Sequence, residues 1–317
     1  MPLLTRNQLL LAKVETVEGT DAEPTPALNA ILSEPVGANP DISKVNSNIV
    51  SRSISVRKTR LGRKKISFSI KVEVRGSGEA GTPPEISPLL QACGLGETIT
   101  DTEGSEKVTY KPVSASADQK SVTIYFYYDG KLLKAFGCKG NFELNAAPGE
   151  IATFSFEMSG KHGGETDATL PTGAVYQNTE PPVAENGDVT IGSFSDGVIQ
   201  SLGLSSGNEI TDRLDINSAE GIKSTTITSR NPEIKMTVEA TTESVFAWWS
   251  KFTGRVEEAV SAQIGNVSGN IVQIAAPKAC ISDGVSSPKD SNGLVTYDLT
   301  SQALENTGDD NYTITFK

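Results

Sequence analysis

One short strand–helix unit occurs twice in this 317-residue sequence, and it constrains the fold more than any other feature. In the first copy, residues 65–75 alternate apolar and polar side chains, and residues 85–94 then place apolar residues at helical spacing. Because successive side chains of a strand point to opposite faces, the alternation predicts a strand with one buried face. Gly94 directly follows the predicted helix, where glycine commonly ends one.

The second copy lies about 160 residues further along. Residues 233–240 alternate in the same way, and residues 243–254 predict a helix that ends at Gly254. The expected apolar positions of this helix are Val245, Phe246, Trp249 and Phe252. Aligning Val72 with Val238 gives an offset of 166, and aligning the two helix-ending glycines gives 160. We interpret the copies as a tandem duplication, and two unrelated strand–helix pairs are the alternative.

The remaining sequence predicts a mainly-β protein, because β-branched residues recur in short alternating runs between turn residues. The boundaries follow from a polar, Pro- and Gly-rich stretch in the middle of the chain. The predicted segments are an N-terminal arm (1–40), a first β domain (41–162), a linker (163–188) and a second β domain (189–317).

The N-terminal arm combines a short apolar patch with turns and extended chain. Leu10, Leu11 and Val14 are its expected contact residues, and we expect the arm to cross a neighbouring surface. The apolar patch is broken by Arg6, so a secretory signal is not expected. Nowhere does the sequence approach the roughly 18 apolar residues that a membrane span needs.

A cluster of seven basic residues, without any acidic residue, lies within positions 52–65. Its members are Arg52, Arg57, Lys58, Arg60, Arg63, Lys64 and Lys65. Ile54 and Val56 alternate with polar residues there, which predicts an extended hairpin. We interpret the hairpin as a docking element for an acidic surface. The alternatives are a solvated hairpin whose charge protects a sheet edge, and contact with DNA.

Net charge favours docking on protein over binding of DNA. The whole chain carries −11, so the chain without the basic cluster carries −18 (−11 − 7). A protein that binds nucleic acid by neutralising phosphates is usually basic overall. An acidic protein, in contrast, offers a basic hairpin many complementary partners.

No residue pattern predicts catalysis, a cofactor site or a metal site. Residues 76–81 fit G-x-G-x-x-G, but Pro83 lies where a dinucleotide-binding helix would start, so we expect a flexible turn. The single histidine, His162, lies in a Gly-rich stretch where we expect an exposed linker. The three widely spaced cysteines are Cys93, Cys138 and Cys280. They predict buried free thiols rather than a zinc site.

Several motifs resemble the phage tail tube proteins of long-tailed phages. They are Leu10–Asp21 with Pro24–Pro26 and Asn29–Ala30, Val74–Gly78 leading into Pro83–Gly94, and Gly140–Leu144 followed by Phe154–Glu157. These motifs span residues 10–160, and the second half is covered only through the internal repeat. The resemblance implies two tandem β-sandwich or barrel domains of the tail-tube type, each with a short flanking α-helix. It also implies a structural protein without enzymatic activity or cofactor.

The resemblance further implies self-assembly into stacked rings that form a tail tube in the virion, made in the bacterial cytoplasm without membrane contact. With two tube domains per chain, a trimer would close a pseudo-sixfold ring, and a hexameric ring is the alternative. The basic hairpin would dock on the next ring, and the arm would brace a neighbour. Implied partners are tape-measure, tail terminator and baseplate or tip proteins. Double-stranded DNA would pass through a negatively charged lumen without specific binding.

Two other functions are compatible with the sequence. A decoration or adhesin-like β-sandwich of the virion would bind a surface without forming tubes. A carbohydrate-binding or hydrolytic β protein would use Trp248, Trp249 and the scattered carboxylates, although at least one of these rings is expected in the core.

Overall fold

A computed structural model describes residue 4 and residues 6–50 and 52–317. Strands make up 49% of the residues and helices 5%, which confirms the predicted mainly-β fold. None of the described helices is long and apolar enough to cross a membrane.

The first half of the chain contains the strands β1 to β9 and two short helices. The elements are β1 (Gln8–Val14), α1 (Pro26–Asn29), β2 (Ala30–Ile31), β3 (Gly37–Val45), β4 (Arg60–Glu73), α2 (Ser87–Ala92), β5 (Leu95–Thr100), β6 (Lys107–Pro112), β7 (Val122–Tyr128), β8 (Lys131–Ala146) and β9 (Thr153–Asp167).

The second half contains the strands β10 to β19 and one short helix. The elements are β10 (Thr190–Ile191), β11 (Ile199–Ser205), β12 (Asn208–Leu214), β13 (Ile222–Arg230), β14 (Glu233–Glu239), α3 (Trp248–Thr253), β15 (Glu257–Ile264), β16 (Val272–Asp283), β17 (Lys289–Ser291), β18 (Leu294–Ala303) and β19 (Thr313–Phe316).

A set of six antiparallel strands has the same spatial order in each half. In the first half the order is β1-β7-β8-β9-β4-β3. In the second half it is β10-β15-β16-β18-β14-β11. The chain also visits the six positions in the same succession in both halves. The two halves therefore share a topology, with β4 and α2 at the places taken by β14 and α3.

The long hairpin of each half agrees residue by residue. Lys44 pairs with Leu61 in the first half, and Ile210 pairs with Ile227 in the second. Both pairs follow a one-residue shift in the ladder, and both differ by the same offset of 166 (210 − 44 and 227 − 61). This is the offset that aligns Val72 with Val238. Below, residues 166 apart in the two hairpins are called counterparts.

The halves differ in the strand that follows the shared unit. The sequence suggests that residues 311–316 close the second half as residues 152–158 close the first. In the structure, β18 takes the place of the first part of β9, beside β14. β19 instead pairs with β16 and with β6 of the first half. Residues 304–312 form a loop between β18 and β19, whereas β9 is one uninterrupted strand.

One hydrophobic core extends through both halves. Alternate residues of β4 and β14 are buried, as predicted. α2 adds Leu89 and Leu90 to this core, and Gly94 follows with φ +80°, a left-handed conformation that suits glycine. The predicted strand–helix unit is therefore observed in the first half.

The second predicted helix is shorter than expected and exposes different residues. It begins only at Trp248, and residues 243–245 before it form a turn. Val245 and Trp249 are 65% and 51% exposed, whereas Trp248 is 1% exposed. The Trp248 indole packs on Phe246 and its Nε1 donates to Thr241 Oγ1 at 2.8 Å. The buried aromatic residues are thus Trp248 and Phe246, and the prediction for Val245 and Trp249 is wrong.

The predicted N-terminal arm is part of the first sheet. β1 pairs with β7 along seven residues, and Leu10 and Leu11 are buried while Val14 packs against the core. The carboxylate of Glu15, 5% exposed, accepts hydrogen bonds from the Ser121 and Thr123 hydroxyls and from two backbone N–H groups. The expected contacts of the arm are therefore contacts within its own chain. Sequence cannot reveal them because β1 and β7 lie about 110 residues apart.

The predicted linker is not a free connection either. β9 continues to Asp167, so His162 lies in a strand opposite Ala135, half-buried rather than exposed. The chain beyond β9 then contacts both halves. The Val175 N–H donates to the Pro26 carbonyl, and the Asn270 amide donates to the Glu180 carbonyl.

Candidate assembly surfaces

Two strand pairings join the halves, and together with the contacts around them they are called the seam. The first is the pairing of β11 with the end of β8, where Leu204 lies opposite Leu144 and both are buried. Beside it, the Asn208 amide donates to the carbonyls of Cys93 and Gly140 at 2.8 and 3.0 Å. The Asn141 amide donates to the Asn208 carbonyl at 2.9 Å. These bonds satisfy buried backbone groups of one half with a residue of the other.

Aromatic residues fill the seam behind the second strand pairing, that of β6 with β19. The rings of Tyr110 and Phe316 pack edge to face at 5.8 Å. The ring of Phe142, from β8, packs in the same way against Tyr312 at 6.0 Å and against Phe154 at 5.9 Å. Because these rings are all buried, the seam is part of the hydrophobic core.

The G-x-G-x-x-G motif contributes to the seam as well. The Gly76 N–H donates to Asn270 Oδ1 at 2.8 Å, and the Gly78 N–H donates to the Gly269 carbonyl at 3.0 Å. A Cβ on Gly76 would lie 2.1 Å from the Gly269 oxygen. Glycine is therefore required here for the close approach of two backbones. The motif packs two turns together, where a flexible turn was predicted.

The sheet face opposite the core is polar, and the residues on it are called the polar face. Its members are Ser67, Ser69, Lys71 and Glu73 of β4, Thr153, Ser155, Glu157 and Ser159 of β9, Asn141, Glu143 and Asn145 of β8, Ser201, Gly203 and Ser205 of β11, Glu233, Lys235, Thr237 and Glu239 of β14, and Asp298, Thr300 and Gln302 of β18. Six of these side chains are carboxylates and two are lysines. The face is thus acidic on balance and otherwise built from small polar residues.

The polar face crosses the seam without interruption. Glu143 of β8 lies opposite Ser205 of β11, and Asn145 lies opposite Gly203. Each of these residues continues a row of paired polar-face residues across its own half. Because an antiparallel register shifted by one residue would turn the apolar side outward, the seam register preserves one polar surface over six strands.

The outer edge of the first half differs from the seam. β3 pairs with β4, and its other edge has no strand partner among the described residues. The equivalent edge of β11 is covered by β8. An uncovered edge presents backbone N–H and C=O groups to which another chain can pair.

The predicted basic residues lie on and beside this edge. Arg52, Arg57 and Lys58 lie in the loop 46–59, which is called the basic tip and whose described residues form no strand. The hairpin prediction for Ile54 and Val56 is therefore wrong at its end, since strand pairing stops at Val45 and Arg60 and both side chains are fully exposed.

The other four basic residues lie on β4. Arg60, Arg63 and Lys64 are exposed. Lys65 is not free, because its Nζ lies 2.7 Å from Asp212 Oδ2 of β12. The Lys64 N–H donates to the Glu220 carbonyl at 3.2 Å. The base of the basic hairpin is therefore held by the hairpin of the second half, and six charges remain available for a partner.

Chemical groups elsewhere give no support for catalysis. Among the described residues there is no group of three or more His, Cys, Asp or Glu side chains that could hold a metal ion. The cysteines are buried and unpaired, and burial raises the pKa of the Cys93 thiol. Trp248 is buried, so only Trp249 of the predicted double-tryptophan platform is exposed.

Sequence reasoning missed the seam residues Asn141 and Asn208, whose types are ordinary for turns and strands. Extension of the 166-residue offset from Val72 into the hairpins could have identified them. It aligns Gly37 with Gly203, and hence the uncovered edge of β3 with the covered edge of β11.

A family model described as "Phage tail tube protein" matches residues 5–316. The match includes both halves and nearly the whole chain. No curated protein matches the chain significantly.

Proposed function

The chain belongs to the phage tail tube protein family, and from that premise we propose that its copies assemble into stacked rings that form a hollow tail tube. Members of this family are structural components of the virion tail that associate with copies of themselves. Membership supports a structural rather than an enzymatic role.

The observation that carries the proposal is the polar face that continues across the seam. A tube needs a wall with one wettable surface and one packed surface, built from units that join edge to edge. The seam joins two such units within one chain by strand pairing, while the edge of β3 is left for a further unit. Edge-to-edge pairing that closes on itself removes the exposed edges of a sheet.

The shared strand order supports a tandem duplication and thereby a ring of three chains. Each chain would supply two six-stranded units, so three chains would place six units around the axis. A ring of six chains, with twelve units, is the alternative. The trimeric ring would carry a net charge of −33 (3 × −11).

Charge suits a lumen lined by the polar face. Its six carboxylates and two lysines leave it acidic, and DNA carries a negative charge on every phosphate. Like charges repel, so double-stranded DNA would pass through such a lumen without adhering to it. The ends of the tube would contact tape-measure, terminator and baseplate or tip proteins.

Electron microscopy of the concentrated protein, with native mass spectrometry, tests the proposal. We expect hollow tubes or rings and a ring mass of about 100 kDa (3 × 33.5 kDa). A ring of twice that mass contradicts the trimer and keeps the tube. A protein that stays monomeric at all concentrations contradicts the tube and favours a decoration or adhesin-like role.

A further inference from the structure

The hairpin of the second half folds back over the first half. β12 and β13 leave the plane of the sheet and form a separate two-stranded sheet that lies against β8 and β9. Its contacts are specific: Asn208 bonds to Cys93 at the end of α2, and the Ile227 side chain lies against Gly94. The end of α2 and the adjoining part of β8 are thus a docking site that is occupied within the chain.

The hairpin of the first half contains the same number of residues and the same register. Loop residues 46–59 and their counterparts 212–225 are both 14 residues long. In the second half, these residues extend the ladder until Leu214 pairs with Ile222. In the first half, those of the loop residues that the structure describes form no strand. One chain length therefore adopts two conformations, one docked and one free.

Burial of counterparts shows what the free tip lacks. Ile222 is 1% exposed, whereas its counterpart Val56 is 98% exposed. The other large apolar residues on and beside the basic tip are exposed as well: Val45, Ile49, Val50, Ile54 and Leu61. Several exposed apolar residues on one polar, basic loop are typical of an interaction surface.

The groove beside each outer strand shows the same difference. The groove beside β11 is lined by Leu202 and Ile264 and, on its other side, by Ala146 and Pro148 at the end of β8. Beside β3, the described lining comes from the first half itself, including Val36, the counterpart of Leu202. The first groove is therefore lined by both halves, and the described lining of the second comes from one half.

We propose that the basic tip docks on the second half of another copy, in the manner in which β12 and β13 dock on the first half of their own chain. This inference rests on the proposed assembly into rings and identifies the contact between subunits of one ring. The docking site would lie between the end of α3, which is equivalent to the end of α2, and residues 283–291. Asp283 and β17 pair with β18 as the end of β8 pairs with β9, so this segment is equivalent to the end of β8.

The second half offers complementary chemistry at this site. Residues 189–317 carry a net charge of −7 (9 basic and 16 acidic residues), which opposes the basic tip. Its exposed apolar residues include Val245, Trp249, Val256, Leu294 and Val295. Such residues could bury the apolar side chains of the tip.

Strand pairing would continue the seam into the neighbour. β17 pairs with β18, and its outer edge has no strand partner among the described residues. Val36 to Asn39, the counterparts of the β11 residues in the seam, would lie along this edge. Pro288 precedes β17 and has no N–H, so this ladder would contain fewer hydrogen bonds than the seam. The contact between subunits would then rely more on the basic tip.

Photo-cross-linking in assembled full-length protein tests the inference. A benzophenone amino acid in place of Leu61 should link two chains, with the linked peptide within residues 240–303 of the partner. The same amino acid in place of Ile227 is the matched control. It should link only within one chain, to peptides around Gly94.

The outcomes separate the inference from the proposed function. If tubes form and position 61 links only to first-half peptides, the inference is overturned and the proposed tube is not. Docking of the basic tip on the next ring would also overturn the inference alone. Tubes without any link from position 61 overturn it as well, provided that position 227 reacts. Absence of assemblies by electron microscopy contradicts both.

Discussion

The two long hairpins have the same length and register, but one packs against the other half of the chain and the tip of the other is exposed. In the second half, the hairpin bends at Gly207, with φ +56°, and at Pro232, and it folds onto the first half. A Cβ on Gly207 would lie 2.0 Å from the Asn231 oxygen. The counterparts of Gly207 and Pro232 in the first half are Asp41 and Ile66, and there β3 and β4 run through without a break.

Two residue types account for this difference in the local backbone. Glycine permits the left-handed backbone at the bend, and proline interrupts the ladder because it cannot donate. Where both are missing, β3 and β4 are uninterrupted, and apolar residues of the tip such as Val56 stay exposed. Under the proposed assembly, two hairpins of shared topology thus provide one internal joint and one external joint.

The largest expected effect concerns the proposed contact of the basic tip with another copy of the chain. Replacing Arg57, Lys58 and Arg60 by glutamate should abolish ring and tube assembly, because the tip would then repel an acidic partner surface. The unfolding free energy of the monomer should change by less than about 0.5 kcal/mol, since all three side chains are exposed. Electron microscopy and thermal unfolding measure the two effects.

The matched control reverses three exposed lysines of the first half outside the tip, namely Lys107, Lys111 and Lys120. This variant should still assemble. Assembly of the tip variant as well would show that the basic tip is not a docking element.

The next effect concerns the seam between the two halves. Phe142→Ala should lower the unfolding free energy by about 3–5 kcal/mol, because the ring is buried and contacts Tyr312 across the seam. Both tryptophans lie in the second half, so their fluorescence reports on that half while circular dichroism reports on both. We expect coincident urea transitions in the wild type, since the seam couples the halves. Separate transitions in the wild type would mean that the seam is weak.

A pair of counterparts compares the docked and the free tip directly. Ile222→Ala should destabilise the chain by about 2–5 kcal/mol, because Ile222 is buried. Val56→Ala should change the stability of the monomer by less than about 0.5 kcal/mol, because Val56 is exposed, and should instead weaken assembly. Chemical unfolding of dispersed protein measures both. Equal destabilisation by the two variants would contradict the assignment of Val56 to a free tip.

The smallest expected effect concerns the loop between β18 and β19. Asp310 accepts hydrogen bonds from the backbone of Asn306 and Thr307 and from the Thr307 hydroxyl. The backbone bond from Asn306 is the largest cause that lowers the pKa of Asp310 to about 2, from an ordinary value of 3.8. A lowered pKa stabilises the folded state above the ordinary value, and this contribution is lost as the pH falls towards 2.

Asp310→Asn should therefore lower the melting temperature slightly at pH 7, and its difference from the wild type should shrink between pH 3.8 and about 2. Thermal unfolding across this range measures the effect. A difference that is independent of pH would show that the carboxylate charge does not hold the turn before β19.

Much of the fold follows from local sequence patterns. The alternation around Ile66 and Ile234 correctly predicts strands with one buried face. Helix α2 and its glycine end are also correctly predicted, because Leu89, Leu90 and Gly94 satisfy a rule that is local in sequence.

The errors concern features that depend on distant partners. The prediction places Leu10 and Leu11 in an arm and His162 in a linker, whereas strands at other positions of the chain pair with both segments. α3 was misplaced because burial of Trp248, rather than helical spacing, decides where that helix begins.

By itself, the sequence determined the two alternating strand segments around Ile66 and Ile234, the offset of 166 residues between them, and the glycine that ends α2. These properties depend on side-chain alternation and on backbone conformations that glycine and proline control locally. Only the tertiary structure decided which sheet edges are covered and which remain free. The partner of an edge is supplied by chain far away in sequence, and its hydrogen bonds leave no pattern among neighbouring residues.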